Sequence, residues 1–385
     1  MHPLSPLVHV TTVHARRDVR IFHKEARSLR TLGRDVVLVV ADGLGNEVDA
    51  SDDGVRFIDV GPFRGRLARA VLGNWRALRA VVRLKPEIAH FHDPELIPMG
   101  LVLKAAGYTV VYDVHEDLPR QIMSKPWIAP PLRSAVSRAV SAVEQVAKWS
   151  FDAFVAATPH IGARFPPART AMVQNFPIPA EMIAPQETPY ASRPQSFAYV
   201  GGLSAVRGAR EMVAAMALLK DRPQARLDIA GRVEPRALEA EIRRQPASSS
   251  VIFRGQIGRP EVALLLGAAR AGIVVFAPAP NHLAAQPNKL FEYMAAGLPV
   301  IASDFPVWRQ IVDGAGCGLL VDPGDPAAIA GAMRWILDHP EEASAMGRAG
   351  QRAVASSYCW TSEAEKLLAL YRKLDRGHER GGSAA

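Results

Sequence analysis

Short apolar runs alternate with helical stretches along almost the whole chain. This rhythm is typical of βαβ units, in which helices join parallel strands. Phe22–Leu32 and Pro94–Ala106 are two of the helical stretches. The pattern predicts two doubly wound α/β domains with parallel sheets, and ligands of such sheets bind at the C-terminal strand ends. The predicted strands are Leu7–Val13, Asp35–Ala41, Val55–Val60, Glu87–Asp93, Thr109–His115, Ala153–Thr158, Ala171–Asn175, Phe197–Gly202, Arg226–Gly231, Val251–Gly255, Gly272–Ala277, Pro299–Ser303 and Gly318–Asp322.

The division of the chain follows from its length and from one proline-rich segment. A chain of 385 residues exceeds what one hydrophobic core usually holds, so two domains are expected. Pro177–Pro194 is rich in proline and small polar residues and is the predicted linker. We therefore expect a first domain over residues 1–185 and a second over 195–355, facing each other across a cleft. A helix over 360–374 is expected to pack back on the first domain.

The composition of the chain limits which partners it is expected to bind. The net charge of +8 favours anionic partners, such as nucleotide diphosphates or an acidic membrane surface. The basic residues are dispersed and match no nucleic-acid-binding motif, so nucleic acid is not an expected partner. Cys317 and Cys359, the only cysteines, lack metal-ligand spacing, which excludes a disulfide framework and fits a reducing cytoplasm. No apolar run reaches the length of a membrane span, and no signal segment is recognised.

One stretch of the first domain is strongly basic. Between Gly61 and Pro86 there are seven Arg or Lys residues and no acidic residue. One interpretation is a helix resting on an anionic membrane leaflet, which would place the protein at the inner face of the membrane. The other is an ordinary amphipathic helix with a solvated basic face. On a helical wheel the apolar residues Leu67, Val71, Trp75, Leu78 and Val82 share one side, opposite Arg69, Arg76 and Arg83.

The segment from Gln286 to Ile301 predicts a ligand site. It reads as a polar loop, a short helix, a Gly-Pro break and an apolar strand. A loop entering a helix offers free backbone N–H groups to phosphate. Glu292, one turn into the helix, can accept hydrogen bonds from ribose hydroxyls. Together these features indicate a nucleotide-sugar site.

A glycine loop follows the first strand of the second domain. Gly201 and Gly202 allow close approach of a ligand to the backbone, and Arg207 can clamp two phosphate oxygens. The alternative is a plain βα turn with a surface arginine. Two more strand-to-glycine transitions are expected to supply a floor for a nucleobase: Gly231 with Arg232, and Gly255 followed by Ile257.

Ionisable residues mark the strand ends of the first domain. His115 can hydrogen-bond a sugar hydroxyl or a leaving-group oxygen, or else cap a helix or satisfy a core carbonyl. No pair of these residues predicts a metal site. The loop after the first strand lacks the glycine fingerprint of nicotinamide-binding domains, so it is interpreted as an acceptor-binding loop. The expected acceptor-binding residues are Arg16, Asp18 and Arg20 in this loop, His92, and Glu116.

In their order and spacing these motifs resemble the retaining glycosyltransferases of family 4, which have two Rossmann-like domains in the fold called GT-B. The resemblance covers nearly the whole chain and is strongest in Pro287–Ser303. It implies that a nucleotide-diphosphate sugar binds mainly to the C-terminal domain. It also implies that Glu292 holds the ribose, that Arg207 neutralises the diphosphate and that His115 lies near the reacting carbon. Residues implied to face the diphosphate and donor sugar are Asn288, Lys289 and Leu290.

Two positions depart from the family pattern. Ala284 stands where the family's first carboxylate would be, so donor-sugar recognition is expected to pass to Gln286, Asn288 or backbone N–H groups. Gly202 stands where many relatives carry a second phosphate-binding arginine. Arg207 and Lys289 are therefore expected to share that task.

The predicted function is a retaining, metal-independent glycosyltransferase of the hexosyltransferase type, without a cofactor. Its predicted catalytic residues are His115, Arg207 and Lys289. The acceptor is expected to be a saccharide or lipid-linked saccharide, in cell-surface polysaccharide or glycolipid assembly. One alternative is a soluble small-molecule acceptor in natural-product biosynthesis. A second is a GT-B-like epimerase, which would convert the nucleotide sugar alone.

Overall fold

The chain divides into two units after Asn175. The computed structural model describes residues 5–49, 54–123, 128–184 and 188–382. The first unit comprises Met1–Asn175 and Thr361–Ala385, and the second comprises Phe176–Trp360. The first unit is therefore built from both ends of the chain.

The first unit is organised around an eight-stranded sheet. Its order is β3-β4-β2-β1-β5-β6-β7-β8, and every neighbouring pair is parallel except β3 with β4. The two-residue β3 was not predicted. The strands are β1 (Leu7–Val10), β2 (Val36–Val40), β3 (Glu47–Val48), β4 (Arg56–Asp59), β5 (Ile88–Phe91), β6 (Thr109–Val114), β7 (Ala153–Ala156) and β8 (Thr170–Met172).

Helices connect these strands. A π-helical segment, Val19–Ala26, leads into α1, and another, Arg69–Gly73, joins α2 to α3. Short 3₁₀ turns lie at Pro94–Leu96 and Pro167–Arg169. The α-helices are α1 (Arg27–Arg30), α2 (Arg66–Ala68), α3 (Asn74–Leu84), α4 (Ile97–Ala105), α5 (Leu118–Ile122), α6 (Pro130–Ser150) and α7 (Pro159–Gly162).

The second unit holds a six-stranded, all-parallel sheet in the order β11-β10-β9-β12-β13-β14. Its strands are β9 (Ser196–Val200), β10 (Arg226–Ala230), β11 (Val251–Gly255), β12 (Ala271–Val274), β13 (Val300–Ser303) and β14 (Gly318–Val321). Its helices are α8 (Ala209–Ala217), α9 (Arg236–Arg243), α10 (Arg259–Ala268), α11 (Pro280–Leu283), α12 (Asn288–Ala295), α13 (Pro306–Ala315), α14 (Pro326–Asp338) and α15 (Pro340–Ser357), and the chain ends with α16 (Trp360–Gly382). The 3₁₀ turns are Pro179–Glu181, Tyr190–Ser192, Ala205–Arg207 and Pro246–Ser250.

The strand order fixes where each site lies. The run of branched apolar residues in β2 is buried throughout, as expected of a parallel strand covered on both faces. Neighbouring strands run parallel, apart from β3 and β4, but the direction in which successive strands are added to the sheet reverses between β1 and β5 in the first sheet and between β9 and β12 in the second. Ligands of doubly wound sheets bind at the carboxyl ends of such strands. The predicted fold class, two Rossmann-like parallel-sheet units, is confirmed.

The boundary between the units differs from the predicted residues. Phe176 packs edge-on against Phe291, with ring centroids 4.8 Å apart, and so belongs to the second core. The described parts of the predicted linker Pro177–Pro194 also belong to the second unit, while residues 185–187 lie outside the described residues. In α16, Tyr371 lies 2.7 Å from His90 in the first unit, and this helix is longer than the predicted 360–374.

The basic stretch 61–86 leaves part of its apolar side in solvent. Ala77 and Val81 are buried, and Leu78 packs against the core of the first unit. In contrast, Leu67 is 78% exposed and Trp75 is 53% exposed. An ordinary amphipathic helix would bury those larger side chains, but part of the apolar side is packed, so both interpretations stay predictions. Across the described residues, no helix combines the length and apolar character needed to cross a bilayer.

Candidate functional site

The loops after β9 and β10 lie in backbone contact. Gly201 N–H donates to the Ala230 carbonyl at 2.7 Å, and Leu203 N–H donates to the Arg232 carbonyl at 2.8 Å. Gly231 has a φ of 147°, and a Cβ there would lie 2.2 Å from the Gly201 carbonyl oxygen. The close approach therefore requires glycine at 231.

Arg207 is held beside this glycine loop. Its Nη1 donates to the Gly202 carbonyl at 2.7 Å, and its guanidinium lies 5.9 Å from the centre of the Phe276 ring. The next residue, Gly208, has a left-handed φ of 73° and packs against the Val275 backbone, where a Cβ would clash. Among the described residues, no carboxylate forms a salt bridge with Arg207. Its charge is thus available to an anion.

Lys289 places a buried cation at the same loop. Its Nζ donates to the Tyr199 hydroxyl at 3.0 Å and lies 4.4 Å from the Tyr199 ring centre and 5.2 Å from that of Phe276. Burial, aided by Arg207 and opposed by Glu292, lowers the pKa of Lys289 to about 7. Lys289 makes no salt bridge with any residue that the structure describes. The burial of Lys289, and the roles of Tyr199 and Phe276, were not predicted from the sequence.

Glu292 lies one helical turn after Lys289 and is held by an arginine. Arg259, at the start of α10, contacts Glu292 Oε1 at 3.1 Å and Glu181 Oε2 at 2.7 Å. The guanidinium therefore bridges two carboxylates from distant parts of the unit. This contact was not predictable from the sequence, because the partners are separated by tens of residues and follow no motif.

Four further predicted donor-site residues have different environments. Asn288 is exposed at the start of α12, where Pro287 supplies no capping side chain. Leu290 is buried in the core, and its N–H donates to the Pro287 carbonyl at 3.0 Å. Leu290 thus stabilises the first turn, which differs from the prediction that it faces the donor. Gly255 pairs with Ala230 across β10 and β11, and Ile257 packs against the second unit's core.

In the first unit, Asp93 fixes the loop that follows β1. It accepts hydrogen bonds from Thr12 N–H at 2.5 Å, Val13 N–H at 3.1 Å and the Thr11 hydroxyl at 2.9 Å. A carboxylate that accepts several backbone donors is strongly held in place. The loop geometry is therefore set before any ligand binds.

Arg20 is buried between two carboxylates. Its Nε and Nη2 contact Asp113 at 3.1 and 3.0 Å, and its Nε lies 2.9 Å from Glu25. Its Nη1 donates to the Val173 carbonyl at 2.9 Å. All three guanidinium nitrogens are thus engaged within the unit, so Arg20 holds the unit together, in contrast to its predicted role in acceptor binding.

Arg16 and Asp18 are also committed within the unit. Arg16 is buried and pairs with Asp42 at 2.7 Å and Glu47 at 2.6 Å. Asp18 caps the helical segment that begins at Val19, accepting from Arg20 N–H at 2.8 Å. The sequence placed both residues at an acceptor, but their contacts show that they brace the loop after β1.

His92, His115 and Glu116 differ in their access to solvent. His92 is buried, which removes it from the predicted acceptor surface. His115 is partly exposed and its Nε2 lies 2.9 Å from Asp113, while Glu116 is exposed. His14, which was not predicted, lies with its ring 5.4 Å from that of His115. Burial alone would lower the pKa of His14, but Asp18 and Asp93 raise it above its ordinary value.

Two groups of described side chains have potential ligand atoms close enough together to hold a metal ion. They are His9, Glu25, His90 and His92, and secondly His92, Asp113 and His115. In the second group the three atoms lie 2.9 to 3.3 Å apart, a spacing that two hydrogen bonds to the Asp113 carboxylate, one from each histidine, also explain. The prediction of no metal site remains a prediction.

Two Rossmann-like parallel sheets, one with a buried lysine and a partly exposed arginine at a glycine loop, define a protein of the GT-B class. The description "Glycosyl transferase 4-like domain" matches residues 19–175, and "Glycosyl transferases group 1" matches residues 194–339. The chain therefore belongs to the group 1 glycosyltransferases of family 4, as the sequence motifs indicated.

Known proteins of similar sequence and fold support this family assignment. A glycogen synthase of Mycobacterium tuberculosis (strain H37Rv) is 24% identical, with 93% of this chain and 91% of that protein covered. The structure of a sucrose-phosphate synthase from Thermosynechococcus elongatus superposes with a TM-score of 0.79 at 20% identity, covering 97% of this chain and 100% of the other. Anabaena Alr3699/HepE in complex with UDP-glucose has a TM-score of 0.73 at 13% identity, covering 96% and 99%. At these identities the structural similarity shows the fold.

Proposed function

We propose that this protein is a retaining glycosyltransferase that moves a sugar from a nucleotide-diphosphate donor to an acceptor hydroxyl. The observation that carries the proposal is Lys289, a buried ammonium beside a glycine loop and without a salt-bridge partner among the described residues. A buried charge is costly until a counter-ion joins it. A diphosphate supplies that counter-ion, and the structural neighbour HepE has been crystallised with UDP-glucose.

The cations have a direct task in the reaction. As the bond between the sugar's anomeric carbon and the diphosphate oxygen breaks, negative charge grows on the leaving group. Arg207, Lys289 and the N–H groups at the start of α12 stabilise that charge. We therefore propose that these groups activate the leaving group without a metal ion.

The acceptor hydroxyl attacks the anomeric carbon from the face that the diphosphate leaves, so the anomeric configuration is retained. The new bond joins the acceptor oxygen to the sugar, and the hydroxyl proton passes to the departing diphosphate. His115 is proposed to hydrogen-bond the donor sugar near this carbon. Glu292 accepts hydrogen bonds from the ribose, held by Arg259 at 3.1 Å. Since Ala284 has no carboxylate, Gln286 and Asn288 are proposed to contact the donor sugar.

The test is a panel of nucleotide sugars screened by thermal shift, since a ligand of the native state raises the melting temperature. Arg207→Ala, Lys289→Met and Glu292→Ala are compared with Arg243→Ala, whose arginine forms an exposed pair with Glu239. Loss of one charge-stabilising contact is expected to lower turnover by about 10²–10³-fold. Wild-type transfer by all three site variants would show that the site is misassigned. Conversion of the nucleotide sugar without an acceptor would indicate the epimerase instead.

An exposed apolar and basic surface of the first unit favours a lipid-linked acceptor. The helix spanning residues 66–84 exposes Leu67, Val71, Leu72, Trp75 and Val82 among exposed arginines. Arg79 stacks over Trp75 at 4.5 Å. This helix packs against α4, and α4 packs against α6, where Leu132 and Trp149 are also exposed. Apolar side chains interleaved with arginines fit an anionic lipid surface.

We propose that this surface, formed by residues 66–84, α4 and α6, rests on the inner face of the membrane, where a lipid-linked saccharide is presented. Sedimentation with vesicles tests it. The protein is expected to pellet with phosphatidylserine-containing vesicles and not with neutral ones. The double variant Leu67→Asp, Trp75→Asp is expected to stay in solution, whereas Leu264→Asp, on an equally exposed site of α10, should still pellet. Failure of the wild type to bind anionic vesicles would favour the soluble acceptor.

A further inference from the structure

A line of buried hydrogen bonds runs from the C-terminal helix to His115. The contacts in order are His90 Nδ1 to Tyr371 Oη at 2.7 Å, Tyr371 Oη to His9 Nε2 at 3.2 Å, and His9 Nδ1 to His92 Nε2 at 2.9 Å. His92 Nδ1 then lies 3.2 Å from Asp113 Oδ2, which lies 2.9 Å from His115 Nε2. All these residues are buried except His115, which is partly exposed.

The carboxylate of Asp113 determines which nitrogen of each histidine ring carries the proton. Burial by itself would raise the pKa of Asp113, but Arg20, His115 and His92 lower it well below the ordinary value. Asp113 is therefore ionised and only accepts hydrogen bonds. It follows that His92 Nδ1 and His115 Nε2 each carry a proton and donate to Asp113.

The remaining tautomers follow in sequence. Burial lowers the pKa of His9, His90 and His92, so each ring is neutral and carries one proton. With its proton on Nδ1, His92 accepts at Nε2 from the Nδ1–H of His9. His9 then accepts at Nε2 from the Tyr371 hydroxyl. The Tyr371 oxygen accepts from the Nδ1–H of His90, whose Nε2 has no hydrogen-bond partner among the described residues.

The neighbouring charges support this order. Burial and the nearby Asp113 raise the pKa of Glu25 well above its ordinary value, against the opposing effect of Arg20. This shift favours the protonated form of Glu25, so Arg20 chiefly balances the negative charge of Asp113. The hydrogen bonds from His90 to Asp113 all point one way, so they polarise one another and strengthen the line.

We propose that Tyr371, His9 and His92 are positioning residues that orient the Asp113 carboxylate, and that Asp113 in turn fixes the tautomer of His115. His115 is thereby held with its Nε2–H donating to Asp113, which leaves Nδ1 for a substrate hydroxyl. The consequence for turnover rests on the proposed function, but the proton order does not. Without the Tyr371 hydroxyl, His9 Nε2 loses its donor, so the His9 ring can take either tautomer, and its hydrogen bond to His92, which orients Asp113, weakens.

The experiment is nitrogen NMR of the full chain labelled with ¹⁵N-histidine, in which one- and two-bond couplings report the protonated ring nitrogen. In the wild type, His9, His90 and His92 are expected to carry the proton on Nδ1, and His115 on Nε2. In Tyr371→Phe the signals of His9 are expected to shift toward a mixture of tautomers, while His92 keeps its proton on Nδ1, facing Asp113. Turnover should fall by about tenfold, less than the roughly 10²–10⁴ that a positioned acid or base contributes in full, with unchanged donor affinity.

Tyr190→Phe is the matched control. It removes a phenolic hydrogen bond to the Arg270 carbonyl in the second unit, so the four histidine spectra and turnover should stay as in the wild type. A proton on Nε2 of His92 in the wild type would overturn the proposal even if Tyr371→Phe failed to fold. So would unchanged histidine spectra in a folded Tyr371→Phe, or a stoichiometric divalent metal in the purified protein. The expected tautomers in a chain that transfers no sugar would refute the proposed reaction and leave the proton order standing.

Discussion

The strand-end sites of the two units differ in whether their charged side chains are paired within the protein. In the first unit, Arg20 lies between Asp113 and Glu25, and the charges are balanced within the protein. In the second unit, Lys289 and Arg207 have no salt bridge with a described residue. The first site is complete without a ligand, whereas the second gains its counter-charge only when an anion binds. Removing a charge should therefore damage folding in the first unit and ligand binding in the second.

The largest effect is expected from Arg20→Met. It would leave Asp113 without its buried counter-ion, and breaking such a pair costs about 3–5 kcal/mol of unfolding free energy. Native-state hydrogen exchange of β5 and β6 measures this in the first unit alone. Arg17→Ala is the control, because Arg17 is half exposed and its ion pairs should be worth less than about 1 kcal/mol. Equal losses in the two variants would contradict the balanced-charge account.

The next effect is a pH dependence in the second unit. Since the folded-state pKa of Lys289 is about 7, below its unfolded value, the unfolded chain binds more protons between about pH 7 and 10.5. The destabilisation is full below pH 7 and is relieved as the pH rises, at up to about 1.4 kcal/mol per pH unit from this residue. Chemical denaturation followed in the second unit from pH 6.5 to 9.5 measures it.

Lys289→Met is the comparison for that experiment. The variant should be more stable than the wild type near neutral pH, with the difference shrinking as the pH rises. It should also bind nucleoside diphosphate poorly. Stability curves that run parallel across this pH range would mean that the lysine is not a buried, unpaired cation.

The smallest effect concerns Arg259. Arg259→Gln leaves Glu292 in place but removes the group that holds it, so the affinity for a nucleoside diphosphate should fall by about tenfold or less, roughly 1 kcal/mol. Calorimetric titration measures this. Glu181→Gln breaks only the outer ion pair of the bridge, at 2.7 Å, and should have a smaller effect. A larger loss of affinity in Glu181→Gln than in Arg259→Gln would contradict the proposal that Arg259 acts by holding Glu292.

The sequence predicted the fold well because its signal is local. Each strand of the second unit was predicted from a short apolar run, and Gly201 and Gly231 lie at the strand ends where their loops meet. The charge partners were not predictable in this way. Arg16 pairs with Asp42, and Arg20 with Asp113, so their roles depend on tertiary packing and not on the loop that contains them.

The basic stretch shows a second limit of a pattern-based prediction. A helical wheel identifies which residues share a side, but it does not tell which side packs inward. In this protein Ala77 and Val81 are buried and Leu78 packs against the core, whereas Leu67 and Trp75 remain exposed. The burial of Lys289 was likewise hidden, because a lysine at a helix start usually indicates solvent exposure.

The placement of α16 has a consequence for biosynthesis. Tyr371 contacts His9 and His90, and Glu363 accepts a hydrogen bond from the Gln174 N–H at 2.8 Å, so the first unit is completed by a helix that follows the whole second unit in the sequence. Domains generally fold as they leave the ribosome, starting from the N-terminus. Here the nascent N-terminal half must wait, with its histidines uncovered, until α16 has left the ribosome. A prematurely terminated chain should therefore be a preferred substrate for chaperones and proteases, even though its second Rossmann-like unit is whole.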